Sequence, residues 1–181
     1  LQAVVQTMVP PIRCAAWRST RPLPGDTTSH TSAGASPANV TCMGSTLPLD
    51  QVVEGLRPVF GNPAIAKVGQ NCKFDMLVLR KIGIETVGLS FDTMIASFLL
   101  DPMRRSHSLD FLAKSFFDHD MIPITDLIGK GRNQITMDQV DTRQVCEYAA
   151  EDADFTWRLA EVLDPQITGA HVETLFRETE M

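Results

Sequence analysis

Apolar positions fall into regular periods only from about residue 47 onward. Behind Asp50, Val52, Val53 and Leu56 recur at helical spacing, which predicts a helix over 51–60 with Asp50 as its N-cap. Ile65-Ala66-Lys67-Val68-Gly69 predicts a short strand, followed by a helix in which Asp75 shares a face with Val78, Leu79 and Ile82. Gly83-Ile84-Glu85 predicts a turn into a second strand over 87–92. A helix over 93–100 follows and ends ahead of Asp101-Pro102. Ser108 is placed to cap a helix over 109–117. The polar stretch 129–134 separates it from a long helix over about 141–163, and a last helix is predicted from about residue 169. Strands alternating with helices define an α/β layered domain. The predicted sheet is too small for that class, so its N-terminal strands are expected to be incomplete.

Two aspartates stand out against this pattern. Asp152 lies on the apolar stripe of the long helix with Val145, Ala149, Thr156, Leu159 and Leu163, and Tyr148 lies one turn before it. Asp75 sits on the inward face of its own helix. A carboxylate on a core-facing stripe costs several kcal/mol, order of magnitude, unless it is paired or binds a metal. The bland alternatives are an Asp75 stabilised by the helix dipole and an Asp152 at the stripe's edge, with Glu151 and Asp154 simply solvated. Lys73, Arg104, Arg105, His107, Lys130 and Arg132 read individually as surface or loop residues. Asn71 reads as a turn or cap, and Cys72 and Cys146 as small buried hydrophobes.

Composition adds a seam. Residues 12–45 are rich in Ser, Thr, Arg, Ala and Pro without periodicity, so 1–46 form an irregular segment ahead of a domain over 47–168. The net charge of −6 argues against coating nucleic acid by bulk electrostatics but not against holding a short strand at a metal centre. Four widely separated cysteines, without a Cys-x-x-Cys pair, are expected to be reduced, intracellular thiols. No apolar run has the length of a membrane span and no leader pattern is present, so no membrane partner is expected. A chain that starts at Leu1 is expected to be a fragment.

Taken together, the motifs become specific. Asn71-x-Lys73-x-Asp75 and Tyr148-x-x-x-Asp152 resemble the second and third motifs of the DEDD exonuclease superfamily, in its tyrosine branch. Val68-Gly69-Gln70-Asn71-Cys72-Lys73-Phe74-Asp75, Phe91-Asp92-Thr93-Met94, Ser106-His107-Ser108-Leu109-Asp110 and Gly129-Lys130-Gly131-Arg132-Asn133-Gln134 resemble, in order, the proofreading 3′–5′ exonuclease domain of the bacterial DNA polymerase I family. The resemblance implies a ribonuclease-H-like fold, a mixed sheet flanked by helices, that hydrolyses nucleotides from a single-stranded DNA 3′ end with two divalent metal ions, magnesium or manganese. It implies Asp75 and Asp152 as catalytic metal ligands and Tyr148 as the residue orienting the attacking water. Asn71, Lys73 and Arg105 would hold the strand. Residues 169–181 resemble the approach to a polymerase domain, the partner expected in the intact parent chain, and the family places the protein in the bacterial cytoplasm at the nucleoid.

The family also needs an Asp-x-Glu ahead of the second motif, and none occurs before residue 71. The expectation is therefore little or no nuclease activity. Either proofreading was lost, leaving an inactive DNA-binding brace, or the text before about Met43 is a wrong reading frame; the intact later motifs favour the frame error. A ribonuclease D-like RNA exonuclease shares the motif skeleton, but the 129–134 segment argues against it.

Overall fold

A computed structural model describes residues 47–180, so the expectations for 1–46 and for Met181 lie outside the described residues. Among the described residues, six α-helices and two strands run in the order α1 (Leu49–Phe60), β1 (Lys67–Gly69), α2 (Cys72–Lys81), β2 (Leu89–Asp92), α3 (Thr93–Leu100), α4 (Leu109–Phe117), α5 (Ile124–Ile128) and α6 (Thr142–Gly169). A π-helical turn, Leu175–Glu180, follows. The class is mixed α/β, as the alternation predicted. The strands pair in parallel, Val68 opposite Phe91 and Gly69 opposite Asp92, and α2 is the crossover between them. Antiparallel strands of a mixed sheet are not among the described residues.

The main core lies between the sheet and α3, α4 and α6. Phe91, Ala96, Leu112, Phe155, Leu159, Leu163 and Ile167 meet there, and Phe176 packs its ring 4.8 Å from that of Phe91. A smaller core of Phe60, Leu79 and Ile84 joins α1 to α2. Leu163 is fully buried. Leu163→Ala is expected to cost about 2–5 kcal/mol through lost transfer energy and the cavity left behind, read as a lowered urea midpoint.

Several boundaries differ from the sequence reading. Pro48, not Asp50, occupies the cap position of α1, and its carbonyl accepts from Val52 N at 3.2 Å. Proline's fixed φ starts the helix early and leaves Asp50 in the first turn. Both strands are shorter than predicted. Gly88 (φ +73°) breaks the second one, where a Cβ would stand 3.0 Å from the carbonyl oxygens of Pro63 and Ile65. The long helix runs through Pro165 to Gly169, because Leu163 and Ile167 on either side of the proline are both buried. The last helical segment therefore begins at 173 rather than near 169 and becomes π-helical from Leu175. Helix α5 had no periodic signal in five residues.

Candidate active site

The carboxyl ends of β1 and β2 form the floor of the site, the place where ligands bind in open α/β sheets. Beyond Gly69 the chain passes through buried Gln70 and then Asn71, which is left-handed at φ 59° and caps α2 without a side-chain bond. Asp92, at the end of β2, is buried. It accepts the amides of Asn71 (3.1 Å) and Cys72 (2.7 Å) as well as those of Met94 and Ile95 at the start of α3. Thr93 hydrogen-bonds Gln70 Oε1 and donates to the Gly69 carbonyl. Gln70 Nε2 in turn donates to the His107 carbonyl at 2.7 Å, and the His107 ring bonds Ser97 Oγ at 2.9 Å. Those contacts tie the loop that carries Arg105 to the same strand end.

Asp75 lies in the first turn of α2 at 3% exposure, and its Oδ1 is buried with no hydrogen-bond partner. Burial first, and the neighbouring Asp92 charge second, push its carboxyl up to about 7. Burial and the Asp92 and Asp75 charges also push the Cys72 thiol far up, which keeps it protonated and inert. At the opposite end of β1, Lys67 is fully buried, its ammonium pKa lowered by burial, and Nζ donates to the Asn62 carbonyl at 2.6 Å. Asn71, Lys73 and Phe74 are exposed around Asp75. Lys73 lines a groove of about 250 Å³ with Met76, Leu77, Arg80, Leu89, Asp92 and Ile95. Asn71 at the cap and Lys73 and Asp75 in the first turn thus gather at the start of α2, whose Asn71 and Cys72 amides are held by Asp92. Arg105 is exposed on its loop, whereas Arg104 lies over the Phe116 ring at 5.2 Å.

Helix α6 carries the other half of the predicted site. Asp152 is buried on the stripe with Ala149, Thr156, Leu159 and Leu163, as its spacing predicted, and Tyr148 is half-buried one turn earlier. The neighbouring acids are not simply solvated. Glu151 is buried, accepts Ile122 N at 2.7 Å and bonds His119 Nε2 at 2.8 Å, while Asp154 pairs with Arg158. His119 stacks on Phe155, so Glu151 fastens the segment after α4 to α6. Cys146 is exposed, contrary to the sequence reading, because it lies off the buried stripe. Among the described residues, no three His, Cys, Asp or Glu side chains gather into a metal-ligating group. Sequence reasoning missed Asp92, Gln70 and Thr93 as organisers of the site. An aspartate at a strand-to-helix junction, in the cap position of α3, was the available signal for the first of these.

The geometry thus defines an α/β domain with carboxylates at a strand end and on a packed helix. Residues 31–168 match the family model for 3′–5′ exonuclease, the exonuclease domain of the A-type DNA polymerases, and the chain belongs to that family. It is similar to the DNA polymerase I of Rhizobium leguminosarum, 37% identical over 134 residues, and to those of Pseudomonas aeruginosa (40% over 116) and Chloroflexus aurantiacus (41% over 121). These alignments take in 74%, 63% and 67% of this chain, respectively, and the chain spans 13% of the length of each relative. No helix among the described residues is long and apolar enough to cross a membrane.

Proposed function

We propose that this chain is the exonuclease module of a DNA polymerase I-like enzyme, built to remove nucleotides from a single-stranded DNA 3′ end in proofreading during replication and repair. The observation that carries the reading is Asp75 Oδ1, a buried carboxylate oxygen without a partner in the first turn after a parallel strand. A hard divalent cation suits that oxygen, since such ions take carboxylate ligands. Asp75 and Asp152 would hold the metals, magnesium or manganese. When bound, two such ions stabilise the attacking and leaving oxygens of an in-line displacement. The Tyr148 hydroxyl would orient the attacking water. Asn71, Lys73 and Arg105 would position the strand through its backbone, with exposed Phe74 beside them as a surface for a base.

The domain would span 47–168 in a ribonuclease-H-like fold, with 169–181 leading to a polymerase domain in the parent protein, in the bacterial cytoplasm at the nucleoid. The absence of Asp-x-Glu before residue 71 favours a second reading, a brace whose metal site is silent. Calorimetric titration with Mn²⁺ separates the two. Saturable binding that Asp152→Ala abolishes is the expected result. A chain that takes up no Mn²⁺ is the silent brace.

A further inference from the structure

Both oxygens of Asp92 are committed to backbone N–H groups. Oδ1 accepts from Met94 at 2.9 Å and Ile95 at 3.2 Å, which is an ordinary N-cap for α3. It also accepts from Asn71 at 3.1 Å, and Oδ2 accepts from Cys72 at 2.7 Å. These last two bonds reach back 21 and 20 residues to the start of α2. Helix α2 has no cap of its own, because the Asn71 side chain makes no capping bond and its backbone is left-handed. Asparagine tolerates that conformation better than other non-glycine residues, but its N–H still needs an acceptor. The Cys72 amide is equally dependent, since a buried N–H without an acceptor is costly and the turn would open to find one.

We propose that Asp92 is the positioning residue of this site: from the end of β2 it clamps the first turn of α2 and so fixes where Asp75 stands. The inference rests on the reading of Asp75 given above. Asp75 is three residues beyond Cys72, and nothing lies between that amide and the site carboxylate except the single turn the clamp holds. One side chain therefore sets two helices against each other at the strand ends, with α3 as the fixed partner.

The two oxygens can be tested separately. In Asp92→Asn, the remaining carbonyl oxygen can serve the amides of Asn71, Met94 and Ile95, while the new NH₂ would face the Cys72 N–H, donor against donor. Asp92→Ser keeps a cap for α3 and is too short to reach α2. On the 181-residue chain, the readouts are amide hydrogen exchange by NMR, the Asp75 side-chain carboxyl ¹³C signal, and its broadening by Mn²⁺. In the Asn variant, Cys72 exchange is expected to rise on the order of 100-fold while Met94 and Ile95 change only a few-fold. The Asp75 signal should move, and Mn²⁺ should broaden it less. Leu163→Ala, which weakens the core but removes none of the hydrogen bonds of Asp92, should leave that signal in place. Unchanged Cys72 protection and an unmoved Asp75 signal in both Asp92 variants would reduce Asp92 to a cap for α3. If the Asn variant does not fold, the Ser variant decides. A wild-type chain that Mn²⁺ does not broaden overturns the metal reading of Asp75, while exchange and chemical shift still decide the role of Asp92.

Discussion

Raising the pH from about 4 to 7 is expected to remove roughly 4 kcal/mol of stability from the metal-free chain through Asp75 alone, as an upper value. The unfolded carboxyl titrates near 3.8 and the folded one near 7. Between those values the folded state binds the extra proton, so its advantage is complete below the lower value and is lost as pH rises through the upper one. Most native carboxylates act in the opposite direction, which makes this slope diagnostic. Comparing the chain with Asp75→Asn in urea, with chelator present, isolates it. The Asn variant should differ little at pH 4 and be the more stable protein at pH 8. Equal differences at both pH values would mean that Asp75 is not held as a buried, proton-binding carboxyl. Adding Mn²⁺ at pH 8 should narrow the gap, since a metal takes the ionised form that the empty fold disfavours. A residue whose removal stabilises the protein has been kept for something other than folding, as active-site residues commonly are.

The features legible in the sequence were those with a local period. The stripe Ala149, Asp152, Thr156, Leu159, Leu163 is buried as its spacing required, and Asp75 faces inward with Leu79. What escaped depends on partners far along the chain or on single backbone positions. The reach of Asp92 to Cys72 crosses 20 residues, and that of Glu151 to Ile122 crosses 29. Neither leaves a periodic trace. Gly88 shortens a strand because the backbone of Pro63 and Ile65 passes close to it, a contact invisible in the run 87–92. The long helix runs past its predicted end near 163, with Pro165 carried inside α6 because buried apolar neighbours on either side outweigh one lost hydrogen bond. The candidate site residues came from the family resemblance of their motifs, whereas the contacts that tie Asp92 to the start of α2 became visible only once the strands were paired.

Restoring an Asp-x-Glu strand ahead of residue 47 is expected to raise release of nucleotides from single-stranded DNA on the order of 10³-fold or more, and Asp152→Ala should then remove that gain. The reason is charge. In the proposed two-metal site, two divalent cations would bring four positive charges, and Asp75 with Asp152 would supply only two negative ones. A further aspartate and glutamate would balance the site and complete the ligand set that the described residues do not gather. Resequencing the coding DNA upstream of codon 43 and translating all three frames supplies the strand to restore. The family match begins at residue 31, inside the aperiodic stretch, so the join should be sought there. With the restored chain, matched DNA and RNA single strands are compared. Faster degradation of RNA would sink the DNA assignment, and no gain on either strand would identify the domain as a silent brace. A gain on DNA that is lost together with Asp152 would place the defect of this chain in its missing acidic pair, with the second and third motifs already competent.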